Sequence, residues 1–259
     1  MKIIACVRQT PDTETLIKIQ PDGKSIETEG VKFVLGPFDE YALEAAAQIK
    51  EKHGGEVTAV CVGPDKVKET LRHCLAVGAD KAVHVTGLDS DDALAIAMAL
   101  AAQLKTMGAD LIFTSTKGAD SDRGVVGPML SELMGLPYVG LVGDIQVEDG
   151  GKSVLCKRDI EGGYTETIRC QLPAVICAQK GIRGEPRYAS LMAIMKAKKK
   201  PIDSVDVSSL GANGSGVHVN LEKMEYPPQR PPGRMVEGDT LDAKIEELVR
   251  LLRQEAKVI

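Results

Sequence analysis

The sequence predicts an α/β protein with a doubly wound, mostly parallel sheet, added hairpins and an extended C-terminal arm. From residue 2 to about residue 134, short apolar runs alternate with segments of helical period, and the connections are short. Such alternation gives a parallel sheet with helices on both faces. From residue 139 onward the runs are separated by Asp-Gly-Gly and Glu-Gly-Gly turns, which indicate hairpins.

The first half of the chain supplies the parallel strands. They are predicted at apolar runs that stop at glycine, proline or small polar residues: residues 2–7, 57–62, 81–85 and 111–113. Continuous apolar character is typical of parallel strands that are buried on both faces. Helices are predicted where apolar residues recur at helical spacing: residues 36–53, 66–77 and 91–107, and a helix entered near Pro128.

The segment after the first strand departs from this pattern. Leu16, Ile17 and Ile19, a turn at residues 21–23 and a run at residues 31–35 predict a strand-rich excursion. No Gly-x-Gly-x-x-Gly sequence follows the first strand, which disfavours a dinucleotide fold of the dehydrogenase kind.

The second half is predicted to add hairpins at one end of the same sheet. The strands are expected at residues 144–148, 154–159, 164–170 and 174–178. A loop over residues 181–188 follows, and Ser190 is placed to cap a helix that runs to about Lys198. The basic run at residues 196–200 is interpreted as a solvated helix end, where cations are favourable.

The chain after residue 200 is predicted to form a separate arm, so the expected domains are residues 1–200 and 201–259. It contains a Gly- and Ser-rich stretch at 208–216 and a Pro-rich stretch at 227–233, and it ends in an amphipathic helix at 239–257. An arm without its own core needs a surface to lie on. It either packs back on this domain or wraps a partner.

The composition argues against several classes of protein. The net charge of -5 argues against a nucleic-acid binder, and no apolar run approaches the roughly 20 residues of a membrane span. The six cysteines are scattered without a CxxC pair, which disfavours a zinc or iron–sulfur site and favours a reducing compartment. The N-terminus enters a strand directly, without the pattern of a signal peptide. We therefore expect a cytoplasmic protein.

A candidate anion site lies in residues 110–129. A buried strand at 111–113 leads into a loop with Gly124 and Gly127, and Pro128 suits the first turn of the helix that follows. Free N–H groups and the positive end of the helix dipole would then point at one spot, which favours a phosphate. The alternative is an ordinary turn between strand and helix. Whichever interpretation holds, ligands of parallel sheets bind at the carboxyl ends of the strands. The segments after residues 7, 62, 85 and 113 are therefore expected to lie together at that edge.

Taken together, several segments resemble the β subunit of the electron transfer flavoproteins over essentially the whole chain. The matching segments are residues 5–12, 36–44, 75–80, 120–128, 158–163, 172–175 and 185–200. Among the most specific are Arg158-Asp159-Ile160-Glu161-Gly162-Gly163 and Glu185-Pro186-Arg187-Tyr188.

The resemblance implies an adenine-nucleotide-binding, stress-protein-like sheet and a heterodimer with an α subunit. The α subunit carries most of an FAD, and the tail of this chain reaches onto it. The complex shuttles electrons between acyl-CoA or related dehydrogenases and a membrane or soluble acceptor. On this reading the chain is an electron-carrier subunit and not an enzyme by itself. The β domain binds a second nucleotide, which is AMP in most members and a redox-active FAD in electron-bifurcating members.

The loop before Pro128 bears on which nucleotide binds. AMP-binding members carry Asn and Thr where this chain has Gly124 and Val126. Smaller, less polar residues resemble the bifurcating members, although those usually carry Ala-Gln-Val at residues 124–126 and Asn in place of Gly36. The comparison favours FAD over AMP at this site.

The resemblance places nucleotide contacts on segments at the sheet edge. They are Cys6, Val7, Arg8, Gly36, Cys61, Val62, Gly63, Thr114, Ala119, Asp122, Gly124, Val125, Val126, Gly127 and Pro128. It also places contacts with partner proteins at Ile182, Glu185, Pro186, Arg187 and Tyr188, with Ile182 as an apolar anchor. The cysteines are interpreted as lining residues, and no metal ligands or catalytic groups are expected.

Two other classes of protein share part of this pattern. A stand-alone nucleotide-binding module of the universal-stress type shares the sheet and its edge site, but the long tail and residues 185–200 disfavour it. An ATP-using enzyme of the pyrophosphatase–ligase type would need a Ser-Gly-Gly loop after the first strand, which this sequence lacks.

Overall fold

The computed structural model describes residues 1–88, 90–212, 217–230 and 232–259. These residues form two compact units, Met1–Glu222 and Lys223–Ile259. The Gly- and Ser-rich stretch and the Pro-rich stretch expected from the sequence lie partly outside the described residues.

The first unit contains eleven strands and five α-helices among its described residues. The strands are β1 (Lys2–Cys6), β2 (Gln9–Pro11), β3 (Phe33–Leu35), β4 (Glu56–Val62), β5 (Lys81–Thr86), β6 (Leu111–Ser115), β7 (Tyr138–Glu148), β8 (Ser153–Ile160), β9 (Tyr164–Gln171), β10 (Ala174–Ala178) and β11 (Asp203–Asp206). The helices are α1 (Pro37–His53), α2 (Val67–Val77), α3 (Ala93–Met107), α4 (Val126–Met134) and α5 (Leu191–Lys199).

Nine of these strands form one sheet in the order β11-β5-β4-β1-β6-β10-β7-β8-β9. All pairs from β11 to β7 are parallel, and β7, β8 and β9 form an antiparallel meander at one end. The predicted mostly parallel α/β sheet is therefore confirmed.

Helices cover both faces of the sheet, so the sheet is doubly wound. On β1, Ile3 and Ala5 pack in the cluster that contains α1 and α2, whereas Ile4 packs in the cluster with α3 and α4. On β6, Phe113 is fully buried, and burying such a side chain stabilises the fold by roughly 1.5–3 kcal/mol.

Residues 174–178 were expected in a hairpin, and this expectation is wrong. β10 lies inside the parallel part of the sheet, between β6 and β7. All five of its residues are buried, as both faces of a parallel strand are covered.

The excursion after β1 contains less strand than predicted. β2 and β3 form a two-stranded antiparallel sheet, and between them Ile19 and Ile26 form one isolated bridge. Leu16 is 82% exposed, so the apolar run at residues 16–17 has no core to pair against.

The first unit extends beyond residue 200, the boundary expected from the sequence. β11 adds to the sheet edge beside β5, and Val207 is buried in the cluster with α3. The compact unit accordingly ends at Glu222.

The second unit contains α6 (Leu241–Gln254). The Thr240 side chain accepts a hydrogen bond from the Ala243 N–H and caps this helix. Arg234 pairs with Glu255 at 3.1 Å. Leu241 and Ile245 remain 73% and 49% exposed, so the apolar face of α6 is largely uncovered.

No helix among the described residues has the length and apolar content that crossing a membrane requires.

Candidate functional site

A cavity of about 920 Å³ lies at the carboxyl ends of β1, β4, β5 and β6. Its volume falls near the upper end of the roughly 300–1,000 Å³ typical of ligand pockets. The loop between β6 and α4 forms one wall, and the loop between β5 and α3 forms another. This is the edge at which parallel sheets bind their ligands.

Ten of the fifteen residues predicted to contact a nucleotide line this cavity. They are Cys6, Val7, Arg8, Val62, Gly63, Thr114, Gly124, Val125, Val126 and Gly127. Chain segments more than a hundred residues apart thus meet around one space.

The other five predicted residues do not line it. They are Gly36, Cys61, Ala119, Asp122 and Pro128. Gly36 instead makes room for a neighbour, because a Cβ there would lie 2.3 Å from Asp39 Oδ2. Cys61 is fully buried in the core. Asp122 pairs with Lys117 at 2.6 Å, and Pro128 lies in the first turn of α4.

The glycine loop leaves the start of α4 open. The first N–H groups of an α-helix have no intrahelical partner, and no side chain among the described residues caps α4, so these N–H groups can donate to a ligand. A Cβ on Gly127 would lie 2.7 Å from Thr114 Oγ1, so only glycine lets the helix start so close to β6. Gly124 has φ of 64° and its Cβ would lie 3.0 Å from the Thr116 carbonyl oxygen. The backbone conformation at residue 124 is therefore enough to explain why a glycine stands there, whichever ligand binds.

Thr114 supplies a hydroxyl without a partner beside this loop. It is 4% exposed, and its Oγ1 atom is buried with no hydrogen-bond partner among the residues that the structure describes. A buried polar atom left unpaired costs about 1–3 kcal/mol. A hydrogen-bonding atom in the cavity would remove this cost.

Charged side chains of both signs surround the cavity. Arg8 Nη2 lies 2.5 Å from Asp120 Oδ2 and 4.0 Å from Asp91 Oδ1. Lys66, Lys117 and Arg123 also line the walls. Since Arg8 and Lys117 already pair with carboxylates, an anionic ligand would have to share these cations with them.

Asp39 is a cavity residue that the sequence reasoning missed. It is 3% exposed, and its Oδ2 accepts the Arg8 N–H at 3.0 Å. Burial raises the pKa of this carboxyl from 3.8 to about 7, although hydrogen bonds from Ser115 and the Arg8 N–H lower it in part. An acidic residue in the first turn of a helix is also explained by its favourable interaction with the helix dipole. The sequence alone therefore did not indicate that Asp39 lines the cavity.

The loop between β5 and α3 was expected at this edge, as the segment after residue 85, but none of its residues was predicted to contact a ligand. Thr86, Gly87, Leu88, Ser90 and Asp91 line the cavity.

The cysteines beside the cavity are not reactive thiols. Burial raises the pKa of Cys6 far above its usual value and that of Cys61 to about 12. Neither forms the thiolate that a nucleophile requires at neutral pH. No group of three or more His, Cys, Asp or Glu side chains in the described part of the chain could hold a metal ion.

The surface predicted to contact partner proteins needs a correction at Ile182. This side chain is 2% exposed and packs in the core, so it cannot serve as an exposed anchor. The loop folds back because the Tyr41 hydroxyl donates to Glu185 at 2.8 Å and Arg187 pairs with Glu44 at 2.7 Å.

A group of exposed apolar side chains lies at the end of that loop and on the helix that follows it. Tyr188 is 98% exposed, and Leu191, Met192 and Met195 on α5 are 81%, 68% and 65% exposed. Pro186 is half-buried.

Comparisons with known proteins agree with this architecture. Residues 24–210 match the family described as electron transfer flavoprotein domain. The chain is 38% identical to the electron transfer flavoprotein subunit beta of Bacillus subtilis, with all of both chains covered. It is 36% identical to the subunit of the same name from Mus musculus, with 97% of this chain and 99% of the relative covered. It is also 36% identical to the mitochondrial electron transfer flavoprotein subunit beta of Arabidopsis thaliana, with all of both chains covered. The chain therefore belongs to the electron transfer flavoprotein family, as a relative of its β subunits.

Proposed function

We propose that this chain is the β subunit of a heterodimeric electron transfer flavoprotein, and that its cavity holds a nucleotide of its own. The proposal is carried by the open start of α4 beside the unpartnered Thr114 hydroxyl, at the sheet edge of a chain that aligns end to end with β subunits. The complex would carry electrons from acyl-CoA or related dehydrogenases to a membrane or soluble acceptor.

The residues present fit such a nucleotide. The N–H groups of Val126 and Gly127 and the dipole of α4 suit a phosphate group, which Arg8 and Lys117 would help to neutralise. The Thr114 hydroxyl can donate to or accept from a polar ligand atom. A flavin supplies the one- and two-electron chemistry when bound, while this chain binds and orients it and excludes water.

We propose FAD and not AMP as the nucleotide in this cavity. The volume of about 920 Å³ leaves room beyond a phosphate, and Val125 and Val126 place small apolar side chains at the wall. Gly124 does not help to distinguish FAD from AMP, because the positive φ of residue 124 already requires a glycine. A second flavin here would make the complex an electron-bifurcating one.

The unit Lys223–Ile259 is proposed to be an arm that lies on the α subunit. Leu241, Ile245 and Leu248 share one face of α6 and are all exposed. Each Å² of this apolar surface that a partner covers would stabilise the complex by about 25 cal/mol.

The exposed group Tyr188, Leu191, Met192 and Met195 is proposed to contact partner dehydrogenases, with Glu185, Pro186 and Arg187 holding its loop. Methionine and aromatic side chains adapt well to partner surfaces. We further propose that the complex works in the cytoplasm, where the six buried cysteines stay reduced.

Nucleotide content tests the proposal most directly. The chain would be coexpressed with its α subunit, and the purified complex denatured for quantification of FAD and AMP. Two FAD and no AMP per heterodimer are expected. One FAD and one AMP would refute FAD in this cavity, and a chain that copurifies with no α subunit would refute the heterodimer.

A further inference from the structure

A buried histidine holds one turn of the cavity wall from behind. His84 lies on β5 and is 0% exposed, and it is not among the described residues that line the cavity. Its Nε2 atom lies 2.7 Å from the carbonyl oxygen of Gly63. A carbonyl oxygen only accepts hydrogen bonds, so Nε2 carries a proton and donates it to Gly63.

Gly63 begins the turn between β4 and α2, which forms part of the cavity wall. Residues 63–66 all line the cavity. The φ of 152° at Gly63 favours glycine, and a Cβ there would lie 2.9 Å from Val67 Cγ1. The Gly63 N–H donates to the Val85 carbonyl oxygen at 3.1 Å. Both backbone polar groups of Gly63 are therefore bound to β5, and its carbonyl oxygen is bound there through the ring of His84.

The same turn is held at its other end by a side chain from β2. Gln9 Nε2 donates to the Lys66 carbonyl oxygen at 3.0 Å. Between the two ends, Pro64 has no N–H to donate and the Asp65 side chain is 84% exposed. The position of the turn therefore depends on the hydrogen bonds at Gly63 and Lys66.

The second ring nitrogen shows why a histidine stands at residue 84. Nδ1 is buried and has no hydrogen-bond partner within the described part of the chain. Asp65 Oδ1 lies 3.9 Å from it, beyond hydrogen-bond distance. A buried polar atom without a partner is unfavourable, so an apolar side chain would pack at this position at a lower cost. Packing alone does not explain the histidine, whereas the hydrogen bond from Nε2 to Gly63 does.

We propose that His84 is a positioning residue of the nucleotide site, which fixes the turn at residues 63–66 through the Gly63 carbonyl and does not itself touch the ligand. This inference rests on the proposed function. Without the Nε2–H donor, the Gly63 carbonyl turns toward water and the wall moves with it. A site whose supporting residues are not fixed binds its ligand less tightly. The affinity for a nucleotide then falls in a chain that is still folded.

Two substitutions of similar size separate the hydrogen bond from the packing of the ring. His84→Gln keeps an N–H donor for the Gly63 carbonyl oxygen, whereas His84→Met fills similar space without a donor. His73→Met makes the same exchange at an exposed histidine on α2. Ile49→Val is the control for stability, because it removes a buried methyl group from α1 and changes no cavity residue.

The first measurement is the affinity of the full-length chain for AMP and for FAD, by calorimetric titration without an α subunit. The cavity is then the proposed site for both nucleotides. His84→Met should weaken their binding by about five-fold or more, as the loss of one buried hydrogen bond predicts, and the other three variants should stay within about two-fold of the wild type.

Several results of this titration would overturn the positioning role. One is a His84→Met chain that binds as tightly as the wild type. Another is a His84→Gln chain that is weakened as much as His84→Met, because the ring and not its N–H would then matter. A similar loss in Ile49→Val would assign the effect to stability. A wild type that binds neither nucleotide refutes the proposed site itself, and one that binds AMP alone refutes FAD, with the variants then compared through AMP.

The second measurement needs no stable variant, because it follows the wild-type ring by nitrogen-15 NMR. Nε2 of His84 should carry the proton, and its resonance should shift when AMP saturates the chain. The resonances of His53, which is exposed at the end of α1, should not shift. A ring that is protonated at Nδ1 alone, or a His84 resonance that does not respond to AMP, overturns the proposal.

Discussion

Replacing Asp39 by asparagine should remove a pH dependence from the stability of the nucleotide-free chain. Asp39 is buried at the cavity, and burial raises the pKa of its carboxyl from 3.8 to about 7. The folded chain therefore holds a proton between these values that the unfolded chain releases. Stability from this group is fully present below pH 3.8 and is lost as the pH rises through about 7.

The size of the effect follows from the two pKa values. Between pH 5 and pH 8, linkage predicts a loss of about 3 kcal/mol from a carboxyl with pKa 3.8 unfolded and about 7 folded. Asparagine keeps the shape and an oxygen that can accept the Arg8 N–H, but it does not titrate. Asp39→Asn should lack this loss and should be more stable than the wild type at pH 8.

Urea unfolding at the two pH values measures the difference. The midpoint of the wild type should fall between pH 5 and pH 8 by more than that of Asp39→Asn, with unchanged denaturant slopes. Asp203→Asn serves as the control, because its side chain is exposed on the edge strand. If Asp39→Asn loses as much stability as the wild type between pH 5 and pH 8, the reasoning about this carboxyl is refuted.

Three further changes test the site and its surfaces. Gly127→Asp should abolish copurification of the nucleotide and leave the circular dichroism spectrum unchanged, because even a Cβ at residue 127 would lie 2.7 Å from Thr114 Oγ1. A nucleotide that still copurifies would contradict this placement of the phosphate. Truncation after Glu222 should leave a folded first unit that no longer binds the α subunit, and an unchanged affinity in a pull-down titration would argue against the arm. Arg187→Ala should destabilise the chain by about 3 kcal/mol in urea unfolding, because Glu44, with a side chain 6% exposed, loses its cationic partner and keeps the hydrogen bond from the Gln48 amide. A loss below about 1 kcal/mol would show that the pair does not hold the loop.

The parallel strands of the first half of the chain could be predicted because each is a mostly apolar run that ends at a glycine, a proline or small polar residues. Residues 57–62 end at Gly63-Pro64, and residues 111–113 end in small polar residues. β11 could not be predicted in this way, because its sequence Asp-Ser-Val-Asp contains only one apolar residue. It forms a strand because it pairs with β5. Pairing partners far along the chain leave no local pattern.

Those parts of the candidate site could be predicted in which the backbone conformation or close packing requires a particular residue type. Gly124 and Gly127 mark the loop because no other residue fits their conformation or their close approach. Asp39 and Ile182 carry no such mark. A carboxylate in a first helical turn and an isoleucine in a loop are both ordinary, and only the surrounding packing shows that one faces a cavity and the other lies in the core.

The position of β10 constrains the order in which the chain can fold. β7, β8 and β9 are made before β10, yet β10 must stand between them and β6. Until it is synthesised, the edge of β6 is an open row of backbone donors and acceptors that can pair with another chain. The βα units up to α4 can assemble as they leave the ribosome, whereas the meander waits for residues 174–178 before it joins them. Aggregation during expression, and contact with chaperones, should therefore be greatest for chains stopped between α4 and β10.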